Sequence, residues 1–238
     1  NALYALARPL VEGIDHLPAA FREQISGLDA GELHVAAGSS TILYLLPRIV
    51  EAYRQKHPEV RLILHNVTGA GGLDLLRSDE VDLAVGSMLD VPGDLDYVPI
   101  YRFEPMLITP LDHPLAGKAE LKLDDLSPYG LILPPQRLTT YRLVDLVFQQ
   151  NRVPYTVALE VGGWEVIKQY VAMGLGISIV TAICLTDADR TRLAARSLAK
   201  YFPSRSSGVA VRKGKYRSQQ ARAFIEWIQP QMSMPRGY

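Results

Sequence analysis

A strand, a hydroxyl-rich turn and an amphipathic helix follow one another in residues 31–56, GELHVAAGSSTILYLLPRIVEAYRQK, and that order constrains the fold more than any other feature of the chain. Leu33, Val35 and Ala37 alternate with Glu32, His34 and Ala36, the period of a strand. Ile42, Leu45, Leu46, Ile49, Val50 and Tyr53 form the stripe of a helix that faces a core. Ser39, Ser40 and Thr41 fall where the helix begins. Two uses compete for those hydroxyls: capping the helix, or holding a small polar or anionic ligand together with the free N–H groups of the first turn.

The alternation continues. Pro58 ends the helix expected at 41–56, and strands are expected at 60–66 and 81–86, with a short helix at 72–78 between them. Such alternation means parallel strands with right-handed crossovers, whose ligands sit beyond the carboxyl ends of the strands. The loops at 38–41, 67–72 and 86–88 therefore belong together. Two more strands are expected within 97–109. A second α/β block follows, with strands at 130–133, 155–161 and 177–181 and helices at 141–151 and 164–173. A weaker strand signal lies at 193–198, and the chain closes with a strand at 209–212 and a helix at 218–228. Two such blocks in 238 residues predict two small lobes with a cleft between them. No repeat of fixed period is present.

Residues 1–28 read differently. Leu3, Leu6, Leu10, Ile14, Leu17, Phe21, Ile25 and Leu28 recur at helical spacing, with Pro9 and Pro18 interrupting or restarting the helix. An apolar stripe of this kind needs a partner, which makes 1–29 a linker or dimerisation segment. The chain starts without Met in mid-pattern, so it is expected to be a fragment.

Formal net charge is zero, so no strongly basic nucleic-acid surface is advertised. No apolar run is long enough for a membrane span and no signal peptide is visible, which points to a cytoplasmic protein. The single cysteine, Cys184, sits in an apolar run and is expected to be a buried hydrophobe.

Chemistry-bearing motifs are few. TGAGG at 68–72 has Asp74 where a dinucleotide fingerprint needs its third glycine, and GSSTI at 38–42 lacks the second glycine of a nucleophile elbow. The histidines His16, His34, His57, His65 and His113 show no metal-ligand spacing, and nothing nominates a base for Ser39 or Ser40. No catalytic residue, metal or cofactor is therefore expected. The basic residues Arg212, Lys213, Lys215 and Arg217 are expected to lie at a solvated strand–helix junction. Gln136 and Thr139, with Thr140, open one helix of the second block, and Trp164 and Glu165 open another.

Read in order, GELHVAAGSS, LLPRIVEAYRQKHPEVRLILHNVTG, LLRSDEVDLAVG, ITPLDHPLA, VIKQYVAMGLGISIV and VAVRKGKYRSQQARAFIEWI resemble the effector-binding part of LysR-type transcriptional regulators, most closely the CysB-like branch. The resemblance runs over nearly the whole chain. It implies a periplasmic-binding-protein-like (type 2) α/β fold of two Rossmann-like lobes behind the linker helix, lobe one at 30–110 plus 208–230 and lobe two at 111–207. It also implies a small-molecule effector in the interlobe cleft, assembly as a homodimer or homotetramer, and DNA contact through an N-terminal winged helix-turn-helix missing from these residues.

Carried over residue by residue, the resemblance places effector contacts at Ser39, Ser40, Thr41, Thr68, Ser87, Gln136, Thr139, Trp164 and Glu165. Gly38 and Ser40 stand where sulfate-binding members carry a Thr-x-Thr pair, and a carboxylate at Glu165 argues against a simple anion. The rivals are a transporter's solute-binding protein and a serine-dependent enzyme.

Overall fold

A computed structural model of the chain describes residues 31–88 and 90–228, and ahead of them the helical positions Leu3, Ala7, Val11, Ile14, Leu17 and Phe21. Leu3, Ile14, Leu17 and Phe21 of the expected apolar stripe are exposed. Pro9 and Pro18, with Leu6, Leu10, Ile25 and Leu28, lie outside the described residues.

The elements are β1 (Gly31–Ala37), α1 (Leu46–Lys56), β2 (Val60–Asn66), α2 (Gly69–Arg77), β3 (Leu83–Gly86), β4 (Leu95–Phe103) and β5 (Pro105–Pro110). There follow β6 (Gly130–Leu133), α3 (Thr139–Gln150), β7 (Thr156–Glu160), α4 (Trp164–Ala172), β8 (Ser178–Thr181), β9 (Leu193–Ser197), β10 (Arg205–Arg212) and α5 (Gln219–Ile228). They divide into two compact units: residues up to Tyr101 with those from Ser206 onward, and Arg102–Arg205.

The first unit is a five-stranded sheet in the order β2-β1-β3-β10-β4. β1 runs parallel to β2 and β3, as the alternation predicts, whereas β10 returns antiparallel to β3. Leu33 and Val35 are fully buried, as are Leu46, Tyr53 and Phe224 of the helices. The rings of Tyr53 and Phe224 meet edge-on at 5.1 Å, and the Tyr53 hydroxyl donates to the Gln220 carbonyl at 3.1 Å, tying α1 to α5. Ala36, Leu76, Val81, Leu95 and Ala210 make a second cluster with α2.

The helix expected at 41–56 is not uniform. Thr41–Leu45 is a π turn, and α1 proper begins at Leu46. Pro47 supplies the reason: with no N–H it cannot extend the regular ladder, and the Leu46 N–H reaches back five residues to the Thr41 carbonyl. α2 starts at Gly69, ahead of the expected residue 72, because Thr68 caps it by accepting from the Gly71 N–H at 3.3 Å.

In the second unit β6 and β7 are parallel, and β5 is antiparallel to both β8 and β9. One parallel bridge, Leu131 to Ile177, stitches the two pieces together. The resulting order, β7-β6-β8-β5-β9, repeats that of the first unit, with β5 in the place of β10. Leu107, Leu131, Leu133, Val147, Phe148, Ile179 and Phe202 fill its core. Residues 102–110 are expected in lobe one. They belong to the second unit because β5 is the strand on which β8 and β9 pair.

Gly208 is where β10 passes β4 most tightly: a Cβ there would run into the Val98 carbonyl and the Pro99 Cα, neither of which can give way. Gly208→Ala is expected to cost about 1–3 kcal/mol in urea unfolding, as overpacked sites do. Gly117, with open space around its Cα, is expected to accept alanine within roughly 0.5 kcal/mol.

Candidate functional site

Parallel strands collect their following loops at one edge of the sheet. In the first unit Ala37 pairs with Asn66 of β2 and with Val85 of β3, so the loops after β1, β2 and β3 leave side by side. The Val67 N–H donates to the Ala37 carbonyl at 3.0 Å and holds the first two loops together. Ser39, Ser40, Thr41, Thr68 and Ser87 therefore share this edge.

Their hydroxyls are not used alike. The Ser39 hydroxyl donates to the Asn66 side-chain carbonyl at 3.0 Å, which leaves its lone pairs to accept from a ligand. Ser40 has helical dihedrals and makes no capping hydrogen bond, so the contest between cap and ligand does not end in a cap there. Thr68 is the residue that caps. Ser87 is exposed beside Gly86, whose carbonyl accepts from the Tyr97 hydroxyl at 3.0 Å.

In the second unit the loop of residues 134–138 follows β6, and 161–163 follows β7. A hydrogen bond from the Val161 N–H to the Leu133 carbonyl at 3.0 Å joins them. Gln136 is exposed in the first loop, and Thr139 opens α3 behind Leu138, which supplies no side-chain cap. Thr140 is not a cap either: its hydroxyl accepts from the Arg205 guanidinium at 2.6 Å. Trp164 opens α4 after Gly163, whose φ of 89° only glycine adopts easily.

Glu165 is not a lone acid. Its carboxylate lies 2.7 Å from the Lys168 ammonium and 3.7 Å from Arg192. Lys168 is 1% exposed and also donates to Asp189 at 2.7 Å and to the Cys184 carbonyl at 2.8 Å. A buried ammonium with all three protons used is the arrangement that offsets its desolvation. Glu165 is therefore part of a balanced cluster of two acids and two cations with Lys168, Asp189 and Arg192, not an unpaired carboxylate. Burial pushes the Asp189 carboxyl up, but hydrogen bonds from Lys168, from the Thr186 backbone and hydroxyl, and from Arg192 outweigh it and hold it at about 2.

Sequence reasoning missed Asn66, Tyr97, Arg205 and the Lys168–Asp189 pair. Asn66 had a signal, a polar residue closing an apolar strand. The others depend on partners 11 or more residues away, the nearest being the pair Tyr97–Gly86. His34 and His65, isolated in sequence, come together across β1 and β2 with ring nitrogens 3.0 Å apart. The other ring nitrogen of His34, Nε2, lies 3.2 Å from the Glu32 carboxylate. Among the described residues no group of three or more His, Cys, Asp or Glu could hold a metal ion. Cys184 is buried, and burial pushes its thiol up to about 12. The basic run is not simply solvated: Arg212 and Lys215 each lie 2.8 Å from Asp79, and Arg217 lies 3.4 Å from Asp96. No helix among the described residues is long and apolar enough to cross a membrane.

Comparison with known proteins turns this geometry into a relationship. The family model described as LysR substrate binding domain matches residues 26–233. The transcriptional regulator SsuR of Burkholderia cenocepacia is 28% identical over 211 residues, covering 88% of this chain and 68% of SsuR. CysB of Haemophilus influenzae is 27% identical over 206 residues, covering 85% of this chain and 63% of CysB, so the chain spans under two thirds of that relative. The regulatory domain of CcmR from Synechocystis PCC6803, solved in complex with 2-PG, superposes with a TM-score of 0.78 at 26% identity, covering 85% of this chain and 98% of that one. The architecture is that of the two-lobed, periplasmic-binding-protein-like effector domains.

The Asp189 carboxyl has an acid signature. A depressed folded value means that its stabilisation is complete above the unfolded value of 3.8 and is lost as pH falls through about 2. The thermal midpoint of the protein is expected to fall across that window, and Asp189→Asn to remove this component. Lys168→Met, which takes the buried ammonium from Asp189 and leaves it only Arg192 and Thr186, is expected to cost roughly 3 kcal/mol by chemical unfolding at neutral pH.

Proposed function

The chain belongs to the LysR substrate-binding family, and from that premise we propose that it is the effector-sensing part of a cytoplasmic bacterial transcription factor that binds a small polar metabolite and catalyses no reaction. The observation that carries the reading is the set of hydroxyls and helix N-termini gathered at the carboxyl ends of parallel strands, with Ser40 making no capping hydrogen bond. Ser39, Ser40, Thr41 and Ser87 would contact the effector from the first unit, and Gln136, Thr139 and Trp164 from the second. Thr68 and Glu165 would serve them indirectly, the one by capping α2 and the other through Lys168. The CcmR regulatory domain in complex with 2-PG supports a small-molecule ligand, and the paired state of Glu165 is compatible with an acidic one. No cofactor enters this reading.

Binding would act by population shift, the effector favouring one arrangement of the protein over another. In the family pattern DNA is bound by a winged helix-turn-helix that precedes the region matched here, and regulators assemble as homodimers or homotetramers. The exposed helical positions Leu3, Val11, Ile14, Leu17 and Phe21 support pairing with a second copy.

A thermal-shift screen over sulfur metabolites, amino acids, nucleotides, aromatic acids and 2-PG tests the class. A stabilising ligand that is not turned over is the expected result; turnover that disappears in Ser40→Ala would replace the regulator with an enzyme. With the ligand in hand, Ser40→Ala and Thr139→Ala are each expected to weaken binding by about 0.5–1.5 kcal/mol in calorimetric titration. Unchanged affinity in both would move the site elsewhere. Thr68→Ala is expected to act on folding instead, lowering stability by about 1 kcal/mol through the lost cap.

A further inference from the structure

The second unit has a hollow of about 470 Å³ at the amino ends of β6 and β8, the edge of the sheet opposite the loops described above. Its lining comes from three segments: Pro110 to Pro114 after β5, Pro128 to Gly130 before β6, and Gly174 to Ile177 after α4. We propose that this hollow binds a small organic cation of the alkylammonium class, with Asp112 as its counter-ion.

Asp112 alone among the lining residues carries a fixed charge, and it makes no ion pair among the described residues. A carboxylate placed on a concave wall without a partner is an anionic subsite waiting for a cation. α4, of nine residues, ends at this wall and brings the negative end of its dipole to the hollow. The chain then turns away through Gly174, whose φ is 79°. His113 and Tyr129 form an aromatic wall, ring centroids 4.4 Å apart at 62°, and aromatic rings attract alkylammonium groups.

His113 does not compete for Asp112. Its Nδ1 accepts from the Leu115 N–H at 3.2 Å, and burial lowers its pKa against the opposing pull of Asp112, which keeps the ring neutral. Three prolines, Pro110, Pro114 and Pro128, hold the rim in shape before any ligand arrives. The site stands apart from the proposed effector contacts and does not depend on them.

Choline chloride is the probe, titrated calorimetrically into the protein against sodium chloride of equal ionic strength. The comparison ligand is the uncharged isostere in which carbon replaces nitrogen. Saturable binding of choline is expected, with much weaker binding of the isostere and roughly tenfold weaker choline binding by Asp112→Asn. Amide resonances of Tyr129, Gly174 and Gly176 are expected to shift on titration. Asp112 is exposed, so the variant should keep the wild-type thermal midpoint. No saturation, equal affinity for the isostere, or undiminished binding by Asp112→Asn would each overturn the proposal.

Discussion

Parallel strands cannot be joined by tight turns, and most of this structure follows from that restriction. Each crossover needs a helix, and each helix begins where the preceding strand ends. β1 and β2, and likewise β6 and β7, therefore deliver the first turns of α1, α2, α3 and α4 to one edge of their own sheet. Short polar residues accumulate there because N-terminal N–H groups need acceptors and because Ser, Thr and Gly fit the sharp exits. The concentration of hydroxyls is thus first a folding requirement. What turns it into a recognition surface is surplus: Thr68 meets a capping need, whereas Ser40 does not.

Charge burial is handled by saturation rather than avoidance. Lys168 is covered almost completely, yet each of its protons meets an acceptor, one from a carbonyl and two from carboxylates. In the first unit the buried Arg212 is met by an acid as well, Asp79, which also faces Lys215. Asp79 holds a left-handed backbone with φ of 61°, a conformation that Asp tolerates better than most residues. In both units a buried cation is met by an acid from a turn remote in sequence, Lys168 by Asp189 and Arg212 by Asp79.

Much of the fold was legible because hydrophobic period reports burial directly. β1, β2 and α1 read cleanly from Leu33, Val35, Ile49 and Tyr53, and the resemblance to the LysR family added the order of the lobes. The place of residues 102–110 did not read cleanly: an apolar strand shows that it is buried, not which sheet it joins, and β5 finds both its partners some 70 or more residues onward, as Met106 does at Val180 and Ser197. The strand at 209–212 and its place in lobe one were legible, but not that β10 runs antiparallel to β3. At the candidate site the residue types were visible but their roles were not. Ser40 and Thr68 look alike in sequence, and only backbone dihedrals separate the cap from the residue that makes none. Glu165 read as a lone acid because its cation, Lys168, sits on the inward side of the same helix and reaches a turn around Asp189.

The π turn at Thr41–Leu45 has a meaning for variation. Such a turn is an α-helix carrying one residue more than its ladder can use, and here Pro47 pins the surplus ahead of the core-facing stripe. A one-residue deletion before Pro47 can be absorbed by restoring regular helix, with Ile49 and Tyr53 left in place. The reach of the Ser39–Ser40 loop is in this way decoupled from the packing beneath it, so loop length can drift between relatives while the core stays in register.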